Sequence, residues 1–473
     1  MEIDSYKVSG EYCFELDEVP DLLGLAEAFP ESFPFLLDSA AIGPVGGYSL
    51  LFHAAGDVLL RQACGTVEGP GSGSSFFARL ESWYQSERAA CACAQPVSEG
   101  AVPFSGGWFL YLGYEMAAEI ESRLQLPANA TGLPDAFAAR CPGAIIVFHP
   151  PPNSDPARSR ALLVAENAEV KTLILQRLQS AGRPAGQKIP SLEKLQADEP
   201  EEFLSGTRRV LDYLRAGDVF QVNISRNWAG YFASAPNPVA IYRQLRRNNP
   251  APFAGLLRWG SAAVLSSSPE RLVQLRGAQV QTRPIAGTRP RGTDPALDLA
   301  LARELIDNVK ERAEHIMLID LERNDLGRVC RPGTVEVNEL MVIESHAHVH
   351  HIVSNVRGEL MPATSPVDAI RAVFPGGTIT GCPKIRCMEI IAELERVGRG
   401  FYTGSMGYLG LDGSMDLNIL IRSMLLQRQD ITFRTGAGIV ADSDPDRELQ
   451  ETCDKARGLL LALEDGAQES LCA

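Results

Sequence analysis

Glu448 and Glu451 lie three residues apart near the end of a 473-residue chain. On a helix that spacing puts both carboxylates on one face. Two adjacent carboxylates repel unless a cation lies between them. A hard cation such as Mg²⁺ suits one or two carboxylates plus substrate oxygens. On spacing alone, two exposed glutamates on a solvated helix explain the pair as well. The preceding residues change that balance. Gly436, Ala437 and Gly438, read as a glycine-rich turn, let backbone approach a ligand closely and can present N–H groups to an anion. An anion cradle beside a metal-binding helix points to an anionic substrate bound through Mg²⁺.

Other residues could do chemistry too. Glu304, Asp307, Glu311 and Glu314 form one stripe of a helical pattern over 298–321, ended by Asn324 and Asp325. A solvated helix face explains any one of them. His346, His348, His350 and His351 resemble a metal nest, but three alternate residues of one strand make a poor ligand triad. A single acid–base histidine, most simply the odd-facing His351, fits better. FPGGTITGCPK, residues 374–384, precedes a helix over 385–394 and has the character of an anion-binding loop, without P-loop spacing. Arg422 falls inside an apolar strand pattern over 417–426 and needs a carboxylate partner, from substrate or protein.

The elements that must position these groups follow from pattern. Residues 1–150 alternate short apolar runs with turns, as a sheet-rich region does. Residues 151–200 form a connecting segment, loosest from Ser180 to Pro200. From 201 to 465 the chain alternates helical and strand patterns and carries the candidate site. A helix over 202–216 closes at Gly217, a strand covers 219–224, and a helix covers 238–248. Strands follow over 253–258 and 261–266, then a hairpin over 271–275 and 279–282.

Composition bounds the partners. Lys and Arg number 44 against 59 Asp and Glu, a net charge of −15, which disfavours nucleic acid and anionic membrane. No stretch has the apolarity of a membrane span, and the first residues are acidic and polar, unlike a signal peptide. The ten cysteines follow no disulfide framework, and Cys91 and Cys93 have no second pair nearby for zinc. The expectation is a reduced, cytoplasmic protein.

Eight segments in order, from Ala216 to Ala456, carry a family resemblance. They are AGDVFQVNIS, SSSPERL, TRPIAGTRPRG, ERAEHIMLIDLERNDLGRV, HIVSNVRG, PGGTITGCPKIRCMEII, SMGYLGLDGSMDLNILIRS and GAGIVADSDPDRELQETCDKA. The chain resembles the chorismate-utilising enzymes that include component I of anthranilate synthase and of aminodeoxychorismate synthase. The first half is similar more loosely, through FLLDS at 35–39, GYS at 47–49 and GGWFLYLGY at 106–114.

The resemblance implies an α/β (α+β) fold with two large antiparallel sheets packed face to face and helices outside. It implies Mg²⁺ at Glu314 and Glu451 with Glu448 beside them. Tyr402, Arg422 and the backbone of Gly436, Ala437 and Gly438 would bind substrate carboxylate. Glu270, His351 and Thr378 would serve catalysis, Glu270 around the C4 hydroxyl and His351 near the departing group. Water-adding relatives have a lysine base where this chain has Gln221, and Gln is no base at neutral pH. Ammonia from a glutamine amidotransferase subunit is then the expected nucleophile.

Two products remain. PIAGT at 284–288 puts Ala286 where many aminodeoxychorismate synthases have a nucleophilic lysine, and is the anthranilate synthase form. QVN at 221–223, NPAPF at 249–253 and SPER at 268–271 resemble aminodeoxychorismate synthase instead. The resemblance favours aminodeoxychorismate synthase component I, with anthranilate synthase component I as the alternative. A non-catalytic relative that only binds the amidotransferase is a third reading, opposed by Glu314, His351, Arg422 and Glu451 together. A tryptophan pocket is expected from Asp38, Ser39, Asn249, Pro250 and Phe253.

Overall fold

The computed structural model describes residues 12–41, 47–90, 102–150, 159–182, 188–292, 294–345 and 349–463. His346 and His348 lie outside them, as do Cys91 and Cys93. Among the described residues no helix is long and apolar enough to cross a membrane.

Two antiparallel sheets organise the chain, as the resemblance implied. The first runs through the strands Cys13–Leu16, Arg160–Ala165, Gly143–Phe148, Tyr48–His53, Phe35–Asp38, Phe253–Trp259, Ala262–Ser268, Ser423–Gln427, Asp430–Ile439, Gln221–Phe232 and Leu192–Ala197. The second centres on Arg271–Arg276, Met415–Asn418, Ser405–Gly410 and Gly107–Leu112, with Ile285–Pro290 and Val349–Glu359 towards one edge. Each sheet takes strands from both halves of the chain.

The sheets face each other through an aromatic layer. Phe35 of the first stacks on Phe109 of the second, ring centroids 4.2 Å apart, and Trp259 stacks on Phe137 at 4.3 Å. Alternation along each strand sends these side chains inward and the opposite set outward. The outward set of the first sheet is covered by the helices Pro238–Asn248 and Pro445–Leu463. That of the second is covered by Phe76–Ala90, Val309–Gly327 and Pro366–Val373.

Several local expectations are corrected. The loose 180–200 stretch contains a strand, Leu192–Ala197, paired with Gln221–Phe232. The long helical pattern is two helices, Pro295–Asp307 and Val309–Gly327, separated at Asn308, and the second runs on through Asn324 and Asp325. Asn308 is extended at that junction, and its side chain accepts from the N–H of Glu311, capping the second helix. Gly436, Ala437 and Gly438 are not in a turn; they continue the strand Asp430–Ile439. Arg422 sits between two short strands, Met415–Asn418 and Ser423–Gln427, with a φ of 50°.

Candidate active site

The glycine-containing strand end forms the floor of the site. Ile224 opposes Ala437, and both are buried among the helices Pro200–Ala216 and Lys384–Glu395. Gly436 and Gly438 therefore face the other way. A β-carbon on Gly438 would stand 2.4 Å from Gln221 Nε2, and one on Gly436 would stand 2.7 Å from the Tyr402 hydroxyl. At Gly436 the Ile224 carbonyl, 2.6 Å from that position, makes glycine necessary; at Gly438 the obstacle is the flexible end of Gln221.

The same stretch presents donors at an edge. A residue of an antiparallel strand sends its N–H and C=O to one side. The Gly436 carbonyl accepts from Lys455 Nζ at 2.9 Å, away from the Gln221–Phe232 strand. The N–H groups of Gly436 and Gly438 point the same way. The register with Ser423–Gln427 ends at Phe433, so among the described residues no strand lies against that edge at Gly436. The anion cradle read from the glycines is a strand edge, not a loop.

Glu270 is held by its neighbours in SPER. Its N–H donates to Ser268 Oγ, and its carbonyl accepts from Ile419 N–H at 3.0 Å. Arg271 next to it makes two 2.9 Å bonds to Asp416, fixing the backbone. Burial pushes the Glu270 carboxyl up to about 7, against the Thr378 hydroxyl, the Ile285 N–H, Lys455 and Arg422, which pull it down. Thr378 Oγ1 is buried without a well-formed hydrogen bond, yet lies close enough to Glu270 to favour its ionised form.

Arg422 is, with Lys455, one of two cations whose charge reaches Glu270. Among the described residues its guanidinium has no ion pair. Burial lowers its pKa, and the Glu270 charge raises it. A half-buried guanidinium without an ion pair is costly unless an anion joins it.

Tyr402 lies under the Arg399 guanidinium, 5.5 Å from its ring centroid. Buried Glu395 pairs with Arg399 at 2.7 Å and Arg434 at 3.2 Å, and accepts from Ser225. That network fixes the wall from which Tyr402 projects. Burial pushes the Tyr402 hydroxyl up to about 12, so it stays a neutral donor.

Asn223 Nδ2 reaches the Thr378 carbonyl at 3.5 Å, while Asn223 Oδ1 and Gln221 Oε1 are buried without a donor. Contacts thus run from Gly438 to Gln221, and from Gly436 to Tyr402 and Asn223. They continue from Asn223 to Thr378, Glu270 and Arg422.

The remaining candidates are less closely joined. Glu451 pairs with Lys455 at 2.6 Å, and through Lys455 reaches the Gly436 carbonyl. Glu448 is one turn earlier on the same helix, and Glu314 is on the Val309–Gly327 helix. Among the described residues no three His, Cys, Asp or Glu side chains are gathered as a metal cluster. The Glu448–Glu451 pair, one turn apart beside the glycine edge, does suit a hard cation that completes its shell from a substrate. His351 is buried on the Val349–Glu359 strand opposite Thr288 of PIAGT. Its neighbour His350 is committed to Ser345 at 2.7 Å and Asp298 at 2.9 Å.

The two segments of the expected tryptophan pocket do meet. Asp38 opposes Ala254 in the sheet, Ser39 Oγ donates to the Pro252 carbonyl at 3.1 Å, and Phe253 begins the adjoining strand beyond Asn249 and Pro250. Asp38 already receives Ser49 at 2.8 Å, Tyr242 at 3.2 Å and Arg246 at 3.0 Å.

A profile described as chorismate binding enzyme matches residues 71–461. The chain belongs to that family. Of the chorismate-binding relatives, an anthranilate synthase component I-like protein of Synechocystis sp. is 45% identical over 77% of this chain and 74% of its own. An aminodeoxychorismate synthase component 1 of Bacillus subtilis is 41% identical over 78% and 79%. Several relatives named anthranilate synthase component 1, from Thermus thermophilus among others, fall at 41–43%. In three dimensions the chain is similar to anthranilate synthase component I of Streptococcus pneumoniae, with TM-score 0.73, 28% identity and coverage of 96% and 95%.

Sequence reading missed Lys455 and Asn223. Lys455 was findable as the i+4 partner of Glu451. Asn223 alternates with the core residue Ile224, a signal that its side chain faces away from that core, toward Gly436 and Thr378.

Proposed function

We propose that the chain aminates chorismate with ammonia, with Mg²⁺ present, and releases anthranilate and pyruvate. The observation that carries the amination is the pair of buried acceptors, Gln221 Oε1 and Asn223 Oδ1, beside the glycine edge. They suit N–H donors of an incoming ammonia, and neither can deprotonate water. This is component I chemistry, for which a glutamine amidotransferase subunit supplies the ammonia.

The residues divide the work. Arg422, the N–H groups of Gly436 and Gly438, and the Tyr402 hydroxyl bind and orient the carboxylates. Glu448 and Glu451, with Glu314 from the Val309–Gly327 helix, would hold Mg²⁺. The ion would supply Lewis-acid polarisation of the ring carboxylate. Glu270, protonated in part near neutral pH, gives its proton to the departing C4 hydroxyl beside Thr378. His351 stands by the departing enolpyruvate.

The product reading rests on Ala286, which offers no nucleophile, and on the prevalence of anthranilate synthase names among the relatives. It moves the preference away from aminodeoxychorismate, which QVN, NPAPF, SPER and the Bacillus subtilis relative still favour. Tryptophan at Asp38, Ser39, Asn249, Pro250 and Phe253 belongs to the same proposal and must compete with Arg246 for Asp38.

The test is chromatography of products from chorismate, Mg²⁺ and ammonium salt, with and without added aminodeoxychorismate lyase. Anthranilate formed without the lyase supports the reading. 4-Aminobenzoate formed with the lyase alone replaces it by the second.

A further inference from the structure

Glu322 is a buried carboxyl for which the reaction above has no use. It lies on the Val309–Gly327 helix and is 6% exposed. Among the described residues it has no ion pair: the nearby ammonium of Lys384 is committed to Asp325 at 2.5 Å and to the Val373 carbonyl at 3.0 Å. A buried acid without a cation partner is kept only at a cost.

Its surroundings are those of Glu270. The helix packs on the glycine loop so closely that a β-carbon at Gly377 would meet Leu321 Cδ2 at 2.4 Å and Glu322 Oε1 at 3.4 Å. The next residue is Thr378, beside the Glu270 carboxyl. On the other side the Thr282 hydroxyl lies against Glu322, and three residues on the Ile285 N–H serves Glu270. Two short segments, 282–285 and 377–378, therefore bracket both carboxyls.

We propose that Glu322 is the proton partner of Glu270: the two carboxyls share a proton, and Glu322 restores the one that Glu270 gives to the leaving hydroxyl. This rests on the amination reading. The balance is simple. The C–O bond breaks with its electron pair on oxygen, Glu270 supplies one proton, and water leaves. Glu322 passes its proton to Glu270, directly or through Thr378 Oγ1. The ammonium centre formed when ammonia attacks then loses one proton, which returns to the pair.

The charges facing the pair are Asp325 on the same helix, Lys384 across from it, and Lys455 and Arg422 on the substrate side. Burial and the neighbouring Asp325 hold Glu322 protonated well above the usual carboxylate range, with Lys384 opposing. Wild-type activity should then persist above the point near 7 at which Glu270 alone would lose its proton.

The experiment is the pH profile of ammonium-dependent chorismate consumption for wild type, Glu322→Gln and Glu322→Asp. The alkaline limb should move down by roughly one pH unit in Glu322→Gln, about tenfold in proton concentration, and return in Glu322→Asp. An unchanged limb overturns the proposal. Infrared titration of protonated carboxyl bands in the resting protein gives a readout that needs no turnover. A band that persists above about 7 in wild type and is absent in Glu322→Gln supports the proton partner; equal bands in both overturn it. If wild type consumes no chorismate, the amination reading fails, and the infrared result still decides whether Glu322 holds the proton. If Glu322→Gln does not fold, the wild-type infrared titration decides: a buried carboxyl deprotonated by about 7 overturns the proposal.

Discussion

The Gln221 amide fills the space a side chain on Gly438 would need, its Nε2 lying 2.4 Å from that β-carbon position. The contact joins the Gly436–Gly438 strand edge to the residue that, by the family resemblance, stands where water-adding relatives have a lysine base. Gly438→Ala should therefore displace Gln221 without unfolding the protein, because the obstructing atom is the end of a flexible side chain. The expected result is a stability change within about 1 kcal/mol and a loss of chorismate turnover of roughly tenfold or more. Thermal melting beside steady-state kinetics checks both halves.

Arg422→Gln removes a half-buried guanidinium that has no ion pair among the described residues. If a substrate carboxylate is its partner, kcat/KM should fall by about 2–5 kcal/mol, roughly 30- to 5,000-fold. Stability should hold or rise, since the free protein loses a half-buried charge that has no ion pair. A large drop in melting temperature would instead assign Arg422 to the fold.

Glu451→Gln tests the metal pair. Glu451 and Lys455 are part-exposed, with side chains 47% and 37% accessible, so breaking their ion pair should cost at most about 1 kcal/mol. Mg²⁺-dependent turnover should be lost while the melting curve is retained. Activity at an unchanged Mg²⁺ requirement would remove Glu451 from the site.

Melting should depend on pH with a definite sign. Burial holds Glu115 and Glu270 up to about 7, against a usual value of 4.5. The folded chain therefore keeps protons that the unfolded chain has released, and stability falls as pH rises through about 7. The buried His315, pushed down to about 4, opposes this trend below its usual 6.5. The window above about 6.5 is therefore the one to measure. Glu115→Gln should flatten the slope there, because its carboxyl is buried beside the Gly400 N–H with its second oxygen unpaired.

Much of this arrangement was legible in the residues, and the misses have physical causes. The Pro445 helix and the Gly217 cap follow local rules, and Gly217 adopts a φ of 80°. Glycine spacing showed where backbone meets ligand but could not distinguish a loop from a strand edge, since glycine permits either. Arg422 was read into one strand because Leu417, Ile419, Leu420 and Ile421 are apolar; a left-handed residue between two strands leaves no mark in hydropathy. Asn308 ends one helix and caps the next within an unbroken apolar periodicity, so pattern alone joined them. The Glu322 environment was invisible because it is made by Gly377 and Thr282, distant in sequence.

The most direct test of amination is to follow isotopically labelled ammonium during chorismate consumption by the purified protein with Mg²⁺. The account predicts that chorismate disappears and that the product carries one labelled nitrogen. Chorismate converted without nitrogen, as water addition would give, would contradict it, as would a protein that leaves chorismate unchanged.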